Sequence, residues 1–288
     1  MDYRSVFRPD LFQGKVVVVT GAGSGIGRCT AHELAALGAR VALVGRKPEK
    51  LEAVRREICD AGGLASAHAC DIRDEERVRE TVAAALATHG RIDGLVNNAG
   101  GQFPSPLRDI SLKGWEAVVR TNLTGGFLVA RECYTQWLEA HGGSIVNMVA
   151  DMWGGMPGMG HSGAARAGML NFTETAACEW AASGVRVNAV APGWIASSGF
   201  ETYPAEFRQL ARGLRHEVPL QRFGTESEVA AAIVFLLSEA ASFITGAVLR
   251  IDGGVPNARP TWPLPRHKRS QPYNGFPLYR PPDFLNDD

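Results

Sequence analysis

The amino-acid sequence predicts a single doubly wound α/β domain of the Rossmann type, built on a seven-stranded parallel sheet. Short apolar runs alternate along the chain with longer segments of helical spacing, and this order is typical of right-handed βαβ units. A glycine-rich turn follows the first apolar run, where such sheets place a phosphate-binding loop. The chain has 288 residues, of which 45% are hydrophobic and 21% are charged, so it can bury one large core.

Seven short apolar runs predict the buried strands of this sheet. In chain order they are residues 16–20, 41–44, 64–70, 92–97, 144–149, 185–190 and 247–251. The segments between the runs have the apolar spacing of helices that cover both faces of a parallel sheet. These helices are predicted at residues 25–37, 48–61, 75–89, 115–140, 163–182 and 226–238.

Two segments interrupt the alternation. Residues 194–223 lie between the sixth and seventh strands and contain a polar helical stretch, which predicts a substrate lid at the carboxyl edge of the sheet. We expect the catalytic domain to comprise residues 1–254. Residues 255–288 then form a C-terminal arm that holds half of the 16 prolines and therefore cannot be a regular helix.

Aromatic residues are interleaved with the prolines of this arm, namely Trp262, Tyr273, Phe276, Tyr279 and Phe284. Because purely disordered segments are poor in aromatic residues, we favour an extended arm that packs on its own or a neighbouring subunit. A mobile end is the alternative.

Composition excludes several classes of function. The 30 basic and 30 acidic side chains cancel, so no net charge is available to hold nucleic acid or an anionic membrane. No stretch approaches the roughly 20 apolar residues of a membrane span. The five cysteines are odd in number and include no C-x-x-C pair, which argues against a disulfide framework and a zinc site. We expect a cytoplasmic, metal-free enzyme with reduced thiols and a small-molecule substrate.

The first predicted strand runs directly into the glycine-rich turn Gly21-Ala22-Gly23-Ser24-Gly25-Ile26-Gly27 and then into a helix. Glycines let the backbone turn tightly, and the free N–H groups at the helix start can then bind a pyrophosphate. Because the turn follows the first strand of a βαβ unit, it predicts a dinucleotide site rather than a simple turn. The residues assigned to the cofactor here are Gly21, Ser24, Gly25 and Ile26.

The end of the second strand indicates which dinucleotide fits. NAD sites usually carry an acidic residue there to bind the ribose 2′-hydroxyl, but this chain reads Val44-Gly45-Arg46-Lys47. Arg46 and Lys47 suit a 2′-phosphate, so the sequence favours NADP, with NADPH preferred over NADH. The alternative is that both are solvated residues that open the next helix.

Several further motifs occur in a fixed order along residues 14–254. They are Cys70-Asp71-Ile72, Asn97-Asn98-Ala99-Gly100, Thr121-Asn122, Pro192-Gly193 and Ile251-Asp252-Gly253-Gly254. Together with the glycine-rich turn, they resemble the short-chain dehydrogenase/reductase family. The resemblance implies a homotetramer that is built partly on the two long helices predicted at residues 115–140 and 163–182.

The same resemblance assigns further cofactor contacts. It implies that Asp71 and Ile72 hold the adenine. The residues that it places along the cofactor groove are Asn98, Ala99 and Gly100. Those that it places beside the nicotinamide carboxamide are Pro192, Gly193 and Ile195.

The resemblance breaks at the catalytic centre, where the family carries Asn, Ser, Tyr and Lys. This sequence keeps the asparagine as Asn122 but has Val149 or Ala150 at the serine position. On the following helix Ser162 stands where the tyrosine belongs and Arg166 where the lysine belongs. Ser162 is a far weaker acid than a phenol, and Arg166 can donate hydrogen bonds without releasing a proton. By the same resemblance Asn122 holds a helix kink, and Arg166 bridges the nicotinamide ribose hydroxyls.

This departure disfavours ordinary carbonyl reduction, in which the developing alkoxide needs a nearby acid. When a double bond conjugated to a thioester is reduced, charge collects on the thioester oxygen, and hydrogen-bond donors can stabilise it. Residues 98–103, 143–147 and especially 161–168 resemble the peroxisomal trans-2-enoyl-CoA reductases and the related 2,4-dienoyl-CoA reductases. The sequence therefore favours NADPH-dependent reduction of an enoyl-CoA or a similar acyl thioester.

Two other functions stay open. One is a dehydrogenase of a hydrophobic alcohol or aldehyde, for example a terpenoid, in which another group serves as the acid. The other is an NADP-binding partner subunit or sensor that has lost catalysis.

Candidates for the missing acid lie near the fifth strand. Asp151 follows that strand and could act as an acid or contact the substrate, although a structural carboxylate is the favoured interpretation. His161 precedes the next helix, where a capping role is favoured over a catalytic one.

Two sets of side chains could contact an acyl-CoA. The first set could line an apolar acyl pocket or could simply pack in the core; it comprises Met152, Trp153, Met156 and Met159. The second set could bind the phosphates of CoA, although a solvated, ion-paired face is the favoured interpretation; it comprises Arg208, Arg212, Arg215 and Arg222.

Overall fold

A parallel sheet of seven strands forms the centre of the protein in the computed structural model, which describes residues 2–258 and 264–285. The strands are β1 (Val16–Thr20), β2 (Arg40–Gly45), β3 (Leu64–Ala69), β4 (Gly94–Asn97), β5 (Gly143–Met148), β6 (Val185–Pro192) and β7 (Val248–Ile251). In space they lie in the order β3-β2-β1-β4-β5-β6-β7, which confirms the predicted doubly wound fold. The strand order reverses between β1 and β4, and such sheets bind ligands in the crevice at that point.

Helices cover both faces of this sheet, as the apolar spacing predicts. In the described ranges they are α1 (Gly25–Ala36), α2 (Pro48–Asp60), α3 (Glu75–His89), α4 (Leu112–Val119), α5 (Gly125–Cys133), α6 (Glu139–His141), α7 (Gly160–Glu179), α8 (Ala205–Leu214) and α9 (Glu226–Leu237). Two π-helical turns, Arg120–Thr124 and Tyr134–Leu138, join α4, α5 and α6 into one continuous helical rod. Within these ranges, no helix is both long and apolar enough to cross a membrane.

Two long helices begin earlier than the apolar spacing predicts. The α4 helix begins at Leu112 rather than residue 115, because the Ser111 side chain accepts the Gly114 N–H at 3.1 Å and caps the first turn. The α7 helix begins at Gly160 rather than residue 163. Apolar spacing marks the turns that pack on the sheet, so it misses a first turn that is held by polar groups.

The two faces of β1 serve two separate layers of core. Successive side chains of a strand point to opposite faces, so Val17 and Val19 join the layer under α1 and α9, while Val18 joins the layer under α3 and α5. Every residue of β1 is buried, which accounts for its uninterrupted apolar run. The glycine-rich turn therefore leaves from a strand that is fixed on both sides.

The C-terminal arm runs across the body of its own chain. Phe276 is only 3% exposed and packs against Cys29 of α1. The Tyr273 hydroxyl donates a hydrogen bond to the Arg4 carbonyl oxygen at 2.8 Å, so the two ends of the chain are tied together. Of the aromatic residues expected in the arm, Trp262 lies outside the described residues.

Candidate active site

A groove of about 420 Å³ opens at the carboxyl ends of β1 and β4. The structure brings together there twelve of the residues that the sequence assigns to the cofactor. They are Gly21, Ser24, Gly25, Ile26, Arg46, Lys47, Asp71, Ile72, Asn98, Ala99, Gly100 and Arg166. The groove therefore lies at the point where the strand order reverses.

The glycine-rich turn lets the backbone approach the groove closely. Gly21 has a φ of +66°, and a Cβ on it would lie 2.9 Å from the Ala99 Cα. A Cβ on Gly27 would collide with the Gly21 carbonyl oxygen. Ser24 is the N-cap residue of α1, but its side chain makes no capping hydrogen bond, and the first turn carries no acidic residue. The first N–H groups of α1 are thus available to an anion in the groove.

Cationic side chains line one end of the groove. Arg46 and Lys47 are exposed at the tip of β2, and Lys50 of α2 lies beside them. In the described part of the chain, no carboxylate forms an ion pair with any of these three side chains. Sequence analysis identified Arg46 and Lys47 but missed Lys50, which comes to the groove because α2 starts immediately after the strand tip.

Asp71 lies at the same end but is occupied by a neighbouring side chain. Arg73 donates to Asp71 from its Nε at 2.9 Å and from its Nη2 at 2.5 Å. This ion pair lowers the pKa of Asp71. The Asp71 carboxylate therefore stays charged, and a cation covers it on the side of Arg73.

Asn122 lies in the π-helical turn that interrupts the rod of α4 and α5. Its Oδ1 accepts the Gly101 N–H at 2.9 Å, which ties the helix to the loop after β4. Its Nδ2 is buried and has no hydrogen-bond partner among the described residues. Such turns are frequent at functional sites, and here the turn leaves one buried donor available.

Arg166 lies one turn after Ser162 on α7 and is only 9% exposed. Its Nη1 donates to the Met148 carbonyl oxygen at the end of β5, while its Nε has no described partner. A Cβ on Gly100 would lie 2.5 Å from the Arg166 Nη2, so this glycine is what admits the guanidinium. Burial lowers the pKa of Arg166 to about 10, which leaves it a cation at neutral pH.

Ser162 belongs to a hydrogen-bonded chain of three side chains. Its hydroxyl donates to the Gln102 Oε1 at 2.6 Å. The Gln102 Nε2 in turn donates to the Tyr203 hydroxyl oxygen at 2.9 Å. Sequence analysis missed Gln102 and Tyr203, and the one signal for the latter is that no other tyrosine lies in the predicted lid at residues 194–223.

Asp151 has its electrostatic neighbours, Asp252 and Arg250, at the end of β7. Burial raises its pKa, the charge of Asp252 raises it further, and Arg250 opposes the rise. No described hydrogen bond connects Asp151 to Ser162 or Arg166. Its role as an acid stays a prediction, and no described hydrogen bond connects it to Gln102 or Tyr203 either.

His161 and the loop before it pack around the start of α7. His161 is fully buried, its ring meets Phe103 edge-to-face at 4.4 Å, and its Nδ1 accepts the Ser162 N–H at 2.9 Å. His161 therefore lies within the first turn of α7 rather than before it, and the N-cap residue of the helix is Met159, so the expected capping role stays a prediction. Met159 is also buried, whereas Trp153 is exposed and lies under the Arg250 guanidinium.

The chain turns into the lid after β6. Gly193 donates its N–H to the Ile251 carbonyl oxygen at 3.0 Å, and Ile195 pairs with Gly224 in an isolated bridge. Neither these two residues nor Pro192 is among the described residues that line the groove. The lid residues that do line it are Ser197, Ser198 and Gly199. The carboxamide contacts implied by the resemblance therefore stay a prediction.

Aromatic side chains hold the lid against the body. Phe200 is buried, and its ring centroid lies 5.9 Å from the ring centroids of Tyr203, Phe223 and Phe284. Phe284 belongs to the C-terminal arm. The Tyr279 hydroxyl of the arm also donates to the backbone of the lid. The arm is thus part of the support that positions Tyr203.

The basic residues of the lid have different roles. Arg222 forms an ion pair with Glu228 at the start of α9, with Nη2 and Oε1 2.7 Å apart. It also donates from Nε to the Ser270 hydroxyl oxygen of the arm at 2.9 Å. Arg222 therefore has a structural role, whereas the ion-paired face expected for Arg208, Arg212 and Arg215 stays a prediction.

Comparison with known proteins gives the same fold and family. The family model described as enoyl-(acyl carrier protein) reductase matches residues 21–256. A peroxisomal 2,4-dienoyl-CoA reductase of Danio rerio is 37% identical over 255 residues, which cover 88% of this chain and 85% of the relative. A protein of Bacillus subtilis named as a probable 2,4-dienoyl-CoA reductase is 37% identical over 243 residues, covering 83% and 96%.

A solved structure shares more of the sequence. The citronellol catabolism dehydrogenase of Pseudomonas aeruginosa is 64% identical to this chain, with a TM-score of 0.80. The match covers 88% of this chain and 99% of that structure. This chain is thus similar both to reductases named for thioester substrates and to a dehydrogenase named for the breakdown of an alcohol.

Proposed function

We propose that this chain, which belongs to the short-chain dehydrogenase/reductase family, uses NADPH to reduce the carbon–carbon double bond of an enoyl-CoA or a similar acyl thioester. Membership of the family makes the chain an oxidoreductase. The relatives named as dienoyl-CoA reductases, each 37% identical, support a thioester substrate.

The residues of the groove fit a phosphorylated dinucleotide. Side chains at Gly21 and Gly27 would fill the turn that meets the pyrophosphate, and the start of α1 is open to an anion. Arg46, Lys47 and Lys50 form a cationic patch that a 2′-phosphate would neutralise. We therefore propose NADP as the cofactor, with NADPH preferred over NADH.

One observation carries the choice of reaction. Ser162 and Arg166 replace, in our proposal, the phenol and the amine with which other members of the family reduce ketones. Arg166 is buried and stays a cation at neutral pH, so it stabilises negative charge without giving up a proton. Such a site suits a thioester enolate, which hydrogen-bond donors at its oxygen stabilise before any proton is transferred.

The side chains of the site take separate roles in this reaction. Bound NADPH supplies a hydride to the substrate. Arg166 and Asn122 each keep a buried N–H without a described partner, and these donors bind the cofactor and orient it. Ser162 lies one turn from Arg166 on α7 and donates its hydroxyl proton to Gln102, so its role is to hold Gln102 and, through it, Tyr203 of the lid. Phe200 and the aromatic residues around it hold the lid over the groove and exclude water.

Steady-state loss of NADPH absorbance tests this proposal. Crotonyl-CoA and trans-2-decenoyl-CoA should both consume NADPH, with turnover of order 1 per second or faster. NADH at the same concentration should react more slowly because it lacks the 2′-phosphate. Complete inertness toward thioesters of every chain length would contradict the proposal. It would then favour either the second function below or a partner subunit without catalysis.

A second function is oxidation of a hydrophobic alcohol such as a terpenoid. The observation in its favour is the 64% identity to the citronellol catabolism dehydrogenase, which extends over nearly all of that structure. Production of NADPH from NADP⁺ with citronellol, and no reaction with enoyl thioesters, would replace the first function by this one.

We also propose a homotetramer that is built partly on the rod of α4 to α6 and on α7. Large apolar side chains remain exposed on this rod, among them Leu112 at 72%, Trp115 at 36% and Phe127 at 38%. Exposed apolar patches of this kind mark interaction surfaces. Light scattering in solution would give the mass of the assembly and would contradict the proposal if the chain were a monomer.

A further inference from the structure

We propose that Tyr203, supplied by the lid, is the proton donor of the reaction and takes the place of the tyrosine that α7 lacks. This inference rests on the proposed reduction of an acyl thioester. It assigns a catalytic role to a residue that lies outside every motif by which the chain resembles its family.

Geometry brings Tyr203 to the catalytic side chains from a distant part of the chain. Its hydroxyl oxygen accepts a hydrogen bond from Gln102, whose other amide atom accepts one from Ser162. The three residues belong to the lid, the loop after β4 and the first turn of α7. Ser162 stands at the helix position where the sequence leads one to expect a tyrosine. The chain of hydrogen bonds thus connects the Tyr203 hydroxyl to that position.

The direction of these hydrogen bonds leaves the Tyr203 proton free to be donated. The Gln102 Nε2 is a donor, so it must bond to a lone pair of the Tyr203 oxygen. The Gln102 Oε1 is already used by the Ser162 hydroxyl. The phenolic O–H therefore points to neither of these partners. A substrate oxygen bound beside Gln102 and Ser162 would find in it a donor that is already oriented.

The surroundings of Tyr203 keep its hydroxyl protonated, and nearby groups also influence its pKa. Burial raises its pKa, while the hydrogen bond from Gln102 and the positive charge of Arg166 both pull it down. A phenol that is protonated at neutral pH is an acid and not a base, as reduction requires. Arg166 then stabilises the phenolate that remains after the proton has left.

The other four tyrosines are committed elsewhere. Tyr134 is hydrogen-bonded to Ser183, Tyr273 donates to the backbone of Arg4, and Tyr279 donates to the backbone of the lid. Tyr3 donates to Glu33 on the far face of α1. Tyr203 is thus the one tyrosine of the chain whose described partners belong to the catalytic side chains.

The proposed step balances in atoms and electrons. Cβ of the enoyl thioester accepts the hydride that NADPH supplies. The electron pair of the C=C bond then forms a double bond between Cα and the carbonyl carbon, and the π pair of the carbonyl group moves onto the thioester oxygen. That oxygen takes the proton from the Tyr203 O–H bond and forms an enol. The enol then becomes the saturated thioester when its proton moves to Cα through water. Tyr203, left as a phenolate, regains a proton from solvent.

The test compares Tyr203→Phe with Tyr134→Phe in the full-length protein. Both changes remove one phenolic oxygen and keep the ring, and the Tyr203 ring keeps its contact with Phe207 at 4.8 Å. We expect Tyr203→Phe to lower kcat for trans-2-decenoyl-CoA about 100-fold, the scale of a lost general acid. Its KM and its Kd for NADPH should change less than about threefold. Tyr134→Phe should keep the full kcat.

A second variant, Gln102→Leu, tests how the phenol is held. It removes both hydrogen bonds of the chain and should lower kcat about tenfold, with binding of NADPH unchanged. Because the phenol is still present in this variant, kcat should fall less than in Tyr203→Phe.

The outcomes separate this inference from the proposed function. If the wild-type protein reduces enoyl thioesters and Tyr203→Phe does so equally fast, Tyr203 is not the donor, and the proposed function still stands. Tyr203 is likewise excluded as the donor if Asp151→Asn, and not Tyr203→Phe, abolishes turnover. If the wild-type protein reduces no thioester, the proposed function falls, and the inference that rests on it falls as well.

Discussion

The candidate site has a cofactor end, which is the groove at the glycine-rich turn, and a catalytic end, which is the cluster of Gln102, Ser162 and Tyr203, and the two are built by different means. At the cofactor end, backbone shape decides the site, since Gly21 and Gly27 have no room for a side chain. At the catalytic end, side chains from three separate elements meet, as Gln102, Ser162 and Tyr203 do. A site made of backbone is encoded in one short stretch of sequence. A site made of converging side chains depends on the whole fold, and it can exchange its members while the backbone stays the same.

The largest effect is expected at the backbone end, where Gly27→Ala should abolish cofactor binding. The added Cβ would collide with the Gly21 carbonyl oxygen and would lie 2.5 Å from the Asn98 Nδ2. The turn must then open, and we expect the Kd for NADPH, measured by fluorescence titration, to rise more than about 100-fold, or about 3 kcal/mol. Gly101→Ala is the control, because a Cβ there meets nothing within 4 Å. Equal NADPH affinity of the two variants would contradict the view that backbone shape decides the cofactor end.

At the side-chain end, Arg166→Leu should lower kcat about 100-fold, the usual scale for loss of one preorganised donor. The change removes the cation beside Gly100 and leaves the Met148 carbonyl oxygen without its donor. Steady-state kinetics with an enoyl thioester would measure the loss. Arg166→Lys keeps the charge and should lose less than about tenfold. If Arg166→Leu retains the wild-type kcat, the guanidinium stabilises no charge in the transition state.

Contiguity in the sequence also decides how much could be predicted. The parallel sheet and the glycine-rich turn follow from periodic patterns within single segments, and the structure has them as expected. Tyr203 could not be predicted to meet Gln102, because 101 positions separate them. Their contact depends on where the lid rests, and Phe284 of the C-terminal arm helps to fix that position.

The same reasoning explains two differences between the structure and the expectations from the sequence. Lys50 was missed because its approach depends on the direction in which α2 leaves the strand tip, which periodicity does not reveal. Asp151 is adjacent in sequence to the fifth strand, yet its electrostatic neighbours are Asp252 and Arg250 of the β7 end. Sequence proximity to the fifth strand therefore did not reveal which charges act on Asp151.

A smaller effect is expected beside the phosphate turn, at Glu226 of α9. Its carboxylate is 6% exposed and lies near Gly25 of the phosphate turn, and burial raises its pKa to about 7. The folded protein then binds a proton that the unfolded chain has lost above about pH 4.3, so stability falls as pH rises from there to about 7. Glu226→Gln removes this fall. It should raise the free energy of unfolding by about 2 kcal/mol at about pH 8.

The control for Glu226 is Glu228, which lies on the same helical turn and whose pKa is shifted in the opposite direction. Burial acts to raise its pKa, but hydrogen bonds from Arg222 hold it below the ordinary value. The stability that Glu228 contributes is present above its unfolded pKa and is lost as pH falls through the lower, folded pKa. Glu228→Gln should therefore destabilise the protein at about pH 8. Urea unfolding at about pH 5 and pH 8 would measure the change in the free energy of unfolding that each substitution causes. A change of the same sign in both variants at about pH 8 would contradict this account.

The smallest effect should come from the one part of the cofactor end that is made of side chains. Arg46→Ala removes an exposed cation from the tip of β2, while Lys47 and Lys50 remain to share the 2′-phosphate. Because exposed charges are screened by solvent, we expect the Kd for NADPH to rise only about tenfold, and the Kd for NADH to stay unchanged. Arg56→Ala, on the outer face of α2 where Arg56 pairs with Glu52, is the control. If NADPH binding is unchanged, or if NADH binding falls equally, Arg46 does not recognise the 2′-phosphate. The cofactor end would then owe its affinity to the backbone alone, which would sharpen the contrast with the catalytic end.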